Sequence, residues 1–367
     1  MRFPETIKFY VIQLLSNQAI SAAWLFMPNL AKLFGSSESM IGMIGASYGL
    51  AVFISSYIFG RRSDIEGSKR YLHFGLLFSS LAFALLYLTR NFSSLLLLYF
   101  ISGLAVGMYP PTLITYVFGK KVRLGKFTAF GSLGAGIGLL AAGFIAESFA
   151  LRGVFTYSSI LSAVMFFVSI TLPEIPKKRH KVPFFPSDLF KKNLPIFLSY
   201  FLRHVAANTV WIIYPLFLRG LGISFFWISV LYTINPFAQF IIMYIVTDKI
   251  PARKLVALGL FFVSAAFFSM FLSQNIWHIV LVQLMIAASW SFLYVGSLRY
   301  VTEGDVRKAT TSGLLSSIIS LGSIFGPLIG GMISEIIGGY RGNMLIAGII
   351  GASSLLMYEI LIRKIKS

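Results

Sequence analysis

Twelve stretches of the chain are almost wholly apolar, and each is about 20 residues long, the length that crosses a bilayer as a helix. They fall near 9–31, 39–59, 71–89, 93–118, 127–149 and 153–172. After a polar stretch they resume near 195–218, 222–247, 254–273, 276–298, 311–335 and 343–362. The connections are short and carry most of the charge. This pattern predicts an all-α protein whose helices span a membrane. The first stretch is too long for a cleaved leader, and eleven others follow it.

Composition agrees. Hydrophobic residues make up 57% of the 367, and charged residues only 12%, against about 25% in an average soluble domain. Neither a soluble globule nor a disordered chain has such a balance. There is no Cys, so disulfides, thiolate metal sites and a catalytic thiol are excluded. Four His and 12 acidic residues, scattered along the chain, suggest neither a metal centre nor a cofactor.

The net charge of +19 would suggest nucleic acid in a soluble protein. Its distribution gives a simpler reading. If the N-terminus is cytoplasmic, 25 of the 31 Lys and Arg lie on the cytoplasmic side, five lie opposite, and Arg203 lies within a span. Basic loops stay in the cytoplasm. The expectation is a multi-pass protein of the cell membrane with both termini cytoplasmic, and with lipid rather than nucleic acid as its surroundings.

The chain is also internally duplicated. Trp24-x3-Pro28-x3-Lys32-x2-Gly35 recurs as Trp211-x3-Pro215-x3-Arg219-x2-Gly222. Asp64-x4-Lys69-Arg70 recurs as Asp248-x4-Arg253-Lys254. Gly134-x3-Gly138-x4-Gly143-x3-Glu147 recurs as Gly322-x3-Gly326-x4-Gly331-x3-Glu335. The three patterns keep their order at nearly one offset. Six spans per copy make the copies parallel, with a cavity between them. The expected division is a bundle over 1–172, a basic Pro-rich cytoplasmic linker over 173–194, and a second bundle over 195–367.

The stretch after the second span reads Gly60-Arg-Arg-Ser-Asp64-Ile-Glu-Gly67-Ser-Lys69-Arg70. It resembles the G-x-x-x-D-x-x-G-x-[RK]-[RK] loop signature of the major facilitator superfamily, and the resemblance covers the whole chain. It implies twelve transmembrane helices in two parallel six-helix pseudo-repeats around a central cavity. It also implies a cytoplasmic gate at Gly60, Asp64, Gly67, Lys69 and Arg70, with Asp248 and Arg253 as the repeat's counterparts. A solvated charged loop is the plainer reading of the same residues.

Gly322-x3-Gly326-Pro327-x2-Gly330-Gly331 matches a second pattern of the family, which in its proton-driven exporters sits in the fifth span. Here the fifth span has Leu139 where that pattern has Pro. Tyr99 stands where the family's proton antiporters carry Arg. Both departures remove support for proton-driven export. Close helix packing explains the glycines equally well.

An ionisable group inside a span suggests a functional site. Arg203 and His204 lie about 12–14 Å past Pro195 at 1.5 Å per residue, near mid-membrane. Helical spacing aligns His204, Asn208 and Trp211 on one stripe, and the repeat maps that stripe onto Gln13, Asn17 and Trp24. Asn235 and Gln239 in the eighth span, with Trp290 and Tyr294 in the tenth, complete the candidate substrate site. Interhelical hydrogen bonding is the bland alternative for each Asn and Gln. With no acid at the depth of Arg203, an anionic or neutral amphiphilic or aromatic solute is expected, with protons as a candidate coupling ion through His204. A monomeric secondary transporter working by alternating access is the first reading. A non-transporting receptor or subunit of the same fold is the second. A membrane-embedded enzyme is the third, and no cluster of Asp, Glu and His supports it.

Overall fold

The computed structural model describes residues 5–119, 123–173, 186–303 and 307–366. Among them the chain is helical throughout, with no strand. The first copy holds α1 (Glu5–Leu25), α2 (Met27–Leu33), α3 (Glu38–Glu66), α4 (Ser68–Leu86), α5 (Phe92–Gly119), α6 (Leu124–Ser148) and α7 (Gly153–Ile170). A short α8 (Ser187–Lys192) leads into the second. That copy holds α9 (Leu194–Trp211), α10 (Tyr214–Gly220), α11 (Phe225–Ile245), α12 (Ala252–Phe271), α13 (Ile276–Thr302), α14 (Lys308–Ile337) and α15 (Arg341–Lys366).

Among the described residues, ten helical segments are long and apolar enough to cross a membrane, with α9 and α10 counted together. The first and third expected spans, which fall on α1–α2 and α4, are not among the ten. Gln13, Ser16, Asn17 and Gln18 dilute α1, and Lys69 and Arg70 open α4. Lipid-facing surfaces are apolar, as shown by Ile336, which is 81% exposed, and Phe149, which is 77% exposed.

Two sequence expectations change in detail. The first and seventh spans are each broken. Pro28 starts α2 after Phe26, and Pro215 starts α10 after Ile213. A proline ring has no N–H for the preceding turn, so both copies break at the same point of the repeat. The charged stretch after the second span is no loop. Helix α3 continues through Gly60 to Glu66, and Gly67, at φ +103°, is the single break before α4. Beyond the membrane, water solvates the charges while the backbone bonds continue. Within the expected linker, α8 occupies Ser187–Lys192; residues 174–185 lie outside the described residues. The exposed Asp188 on α8 accepts from Arg307 Nη2 at 2.7 Å. That hydrogen bond holds its carboxyl below the usual carboxylate range.

The packing pattern repeats with the sequence. Helix α1 packs on α6 and α7, α3 on α5, and α4 on α5 and α7. In the second copy α9 packs on α14 and α15, α11 on α13, and α12 on α13 and α15. Two seams join the copies, α3 with α14 and α6 with α11. Glycines let the backbones meet. A Cβ at Gly134 would overlap the Leu14 carbonyl, and one at Gly138 would overlap the Gln18 carbonyl. Their counterparts Gly322 and Gly326 lie against His204, Val205 and Asn208 of α9. Across the first seam, Pro327 fills the space left by Gly42 and Gly45, while Gly331 lies against Glu38 and Ser39. From α15, Asn343 Nδ2 donates to the Thr209 and Gly330 carbonyls at 2.8 Å each.

Both seams close in the same way at the face opposite the chain ends. Glu335 of α14 accepts from the Ser39 N–H at 3.2 Å and from the Ser39 hydroxyl. Glu147 of α6 accepts from the Phe226 N–H at 3.4 Å. The two glutamates are repeat counterparts, and each reaches the first turn of a helix in the other copy. Free N–H groups there favour a carboxylate. Prolines interrupt three long helices: Pro110 and Pro111 in α5, Pro236 in α11 and Pro327 in α14. Pro111 leaves the Gly107 carbonyl without its helical donor, and Ser56 Oγ of α3 donates to it at 3.1 Å.

Candidate functional site

A cavity of about 460 Å³ lies between the copies. Gln13, Asn17 and Trp24 of α1 line it, opposite Trp211 of α9. Asn235 and Gln239 come from α11, and Trp290 and Tyr294 from α13. Trp290 and Tyr294 stack, with ring centres 5.4 Å apart and planes 5° off parallel. Trp24 and Trp211 converge on Tyr232, at 6.5 Å and 5.9 Å between ring centres. Aromatic faces therefore occupy two sides of the space.

Carboxamides and hydroxyls share the rest with apolar side chains such as Val52, Leu139, Met243 and Ile319. Gln239 Nε2 donates to Asn235 Oδ1 at 2.5 Å, and Ser132 Oγ donates to Gln239 Oε1 at 3.0 Å, linking the copies. Asn17 Nδ2 donates to the Gln13 carbonyl at 3.0 Å. Gly131 makes room here, since a Cβ would come within 2.6 Å of Gln13 Nε2 and 3.0 Å of Asn17 Nδ2. Among the described residues, those lining the cavity include no Lys, Arg, His, Asp or Glu.

Three expected residues lie elsewhere. Arg203 is buried behind the wall, with its guanidinium carbon 5.3 Å from the centre of the Trp290 ring. His204 Nε2 lies 3.1 Å from Ser323 Oγ of α14. Asn208 Nδ2 donates to the His204 carbonyl at 2.8 Å. The α9 stripe packs against α13 and α14, and only its end, Trp211, reaches the cavity. Residues not expected there are Ser56, Thr128, Ser132, Ser316 and Ser320, while Tyr232 lines it beside Asn235 on α11. The repeat held a signal for four of them, because Thr128 and Ser132 correspond to Ser316 and Ser320 at the offset that relates Gly134 to Gly322.

The expected gate residues lie at the other ends of these helices. Gly60 faces Pro111 of α5, and Ser63 Oγ donates to Ser68 Oγ at 2.7 Å across the Gly67 break. The Asp64 side chain lies outside the described residues. Lys69 and Arg70 open α4, and Arg70 lies over the Phe74 ring at 5.5 Å. The repeat counterpart Asp248 reaches across the second seam to α6, with Oδ1 3.0 Å from where a Gly125 Cβ would sit. Arg253 lies over Tyr300 at 5.7 Å. Among the described residues no group of His, Cys, Asp and Glu has the arrangement of a metal site.

The family model described as Major Facilitator Superfamily matches this chain twice, over residues 9–195 and 196–366. The chain belongs to the major facilitator superfamily. As a member of that superfamily it is a multi-pass membrane transporter and not an enzyme. The chain is 23% identical over 339 residues to the quinolone resistance protein NorA of Staphylococcus aureus, covering 84% of each chain. It is 24% identical over 351 residues to multidrug resistance protein 3 of Bacillus subtilis, covering 93% of this chain and 64% of that one. Among solved structures, a mutant of the nucleoside transporter NupG superposes with a TM-score of 0.78 at 13% identity, over 97% of this chain and 99% of that one. The human organic anion transporter MFSD10 does so with a TM-score of 0.76 at 16% identity, over the same shares. At these identities the solved structures speak for the superfamily fold alone.

Proposed function

We propose that this superfamily member carries an uncharged, ring-bearing amphiphile, bound in the central cavity between Trp24, Trp211, Trp290 and Tyr294. The carrying observation is the lining itself, which is aromatic on two sides, carboxamide, hydroxyl and aliphatic between, and without Lys, Arg, His, Asp or Glu among the described residues. A charged solute would lose its hydration there without a counter-charge, whereas an aromatic one gains stacking. Gln13, Asn17, Asn235 and Gln239 supply donors and acceptors that orient its polar edge. The relatives named for quinolone and multidrug resistance fit a ring-bearing solute.

Movement is by alternating access, as a monomer, with the bundles 1–172 and 195–367 rocking about the cavity. The segment from Gly60 to Arg70, with Asp248 and Arg253, forms the gate at the face of the chain ends. That face is cytoplasmic, following the basic residues. Because the chain has no native Cys, single cysteines test this directly. A thiol reagent that cannot cross the membrane is expected to label positions 90 and 275 in intact cells and to spare position 180. Labelling of position 180 from outside reverses the orientation.

The binding reading is checked by melting the purified protein with uncharged coumarin, anionic naphthoate or a cationic acridinium. Coumarin is expected to raise the melting temperature and to show flux in liposomes. Trp290→Ala and Trp211→Ala are each expected to weaken its binding about tenfold, or about 1.4 kcal/mol. Stabilisation by the cation alone, or unchanged affinity in both variants, removes the cavity from the mechanism.

A further inference from the structure

Arg203 is 2% exposed in the middle of α9. Its Nη2 reaches Ser289 Oγ at 3.4 Å, and that hydroxyl already donates to the Gly259 carbonyl at 2.8 Å. Its Nε has no partner. Two neighbours on the same helix have the same deficit. The Tyr200 hydroxyl and His204 Nδ1 are both buried without a hydrogen bond. All three residues surround one indole. Trp290 lies 6.4 Å from the Tyr200 ring, 5.9 Å from the His204 ring and 5.3 Å from the Arg203 guanidinium.

A guanidinium cannot shed its proton in a protein, and a buried unpaired charge is strongly unfavourable. The ring face of Trp290 attracts the cation without cancelling its charge. No ion pair of Arg203 exists among the described residues, and the acidic residues of the sequence sit at the ends of the spans. The unmatched groups can all donate. Arg203 Nε and the Tyr200 hydroxyl are donors. His204 Nδ1 becomes a third when its proton is on that nitrogen, with Nε2 then accepting from Ser323 Oγ. A surplus of donors beside a fixed positive charge needs an acceptor that is negative and brings no donors of its own.

We propose that Arg203, Tyr200 and His204 form a binding site for a monovalent anion beside Trp290, a residue this site shares with the cavity. A halide ion meets the requirement. The site stands apart from the reading of the cavity as a place for an uncharged solute, and it is tested with no such solute present.

The test melts the purified protein in sodium chloride and in sodium gluconate at equal ionic strength. Chloride is expected to raise the melting temperature by several degrees with saturation, since a ligand of the folded state stabilises it. Bromide should substitute for chloride. Arg203→Lys, which keeps the charge, should retain the response, and Arg203→Gln should lose it. If Arg203→Gln does not fold, Tyr200→Phe is expected to weaken the apparent chloride affinity severalfold. Stabilisation by chloride and not by benzoate identifies the free ion, and stabilisation by benzoate alone overturns the halide site. Equal melting in chloride, benzoate and gluconate overturns the site, as does an undiminished chloride response in Arg203→Gln and Tyr200→Phe.

Discussion

Replacing Gly138 with leucine is expected to leave no folded, monodisperse protein. At this position α6 lies so close to α1 that even a Cβ would overlap the Gln18 carbonyl. A carbonyl in a helix cannot move aside without breaking its own hydrogen bond, and inside lipid no water replaces that bond. The cost is about 3 kcal/mol or more, at the upper end of overpacking. Gly313→Ala, near the start of α14, provides the contrast. Nothing lies within 4 Å of the position its Cβ would take. That variant should melt at the parent temperature or slightly above, because alanine is favoured over glycine in helices by about 1 kcal/mol. Size-exclusion profiles and melting curves of the two variants check this. A stable Gly138→Leu protein would show that the two helices are not held at backbone contact.

Bridging positions 39 and 335 is expected to stop transport completely. Ser39 and Glu335 meet across the α3–α14 seam at the face away from the chain ends. Alternating access requires that face to part. The background is free of native Cys, so a cysteine pair at the two positions can be joined by a short bifunctional thiol reagent with no side reaction. Flux in liposomes should fall to the level of empty vesicles for the bridged pair. Each single variant, treated in the same way, should keep its flux. Transport that persists through a complete bridge would mean that solute passes without the face opening.

The helices were legible in the sequence because lipid imposes one requirement on every span, about 20 apolar residues with their backbone bonds closed. Their internal breaks were less legible. A proline is tolerated inside a membrane helix, so Pro28 and Pro215 gave no hint of whether the chain would bend or restart. The charged stretch at Gly60–Arg70 looked like a loop because charge marks where the membrane ends, and that is not where a helix must end.

At the site, the carboxamides and tryptophans of α1, α11 and α13 were legible because they share faces with aromatic neighbours. Arg203, His204 and Asn208 were not, since helical spacing gives a stripe but not its direction. Glycines on α14 turned that stripe toward packing. The serines and threonine of α6 and α14 are too common singly to notice. Only as repeat partners, Thr128 with Ser316 and Ser132 with Ser320, do they stand out. Glu147 and Glu335 looked like ordinary span ends until the structure placed each at the first turn of a helix in the other copy.

The prolines of α5, α11 and α14 bear on how such a passage opens. Each removes a rung of the backbone ladder, and a helix bends most easily where a rung is missing. Pro110 and Pro236 line the cavity, and Pro327 lies in the seam beside it. Three helices around the cavity thus have a joint part-way along their length. The segment on one side of a joint can swing while the other stays seated. One mouth of the passage can then be unlatched by flexing a few half-helices, so a variant that stiffens a joint should slow turnover while leaving the resting structure as it is.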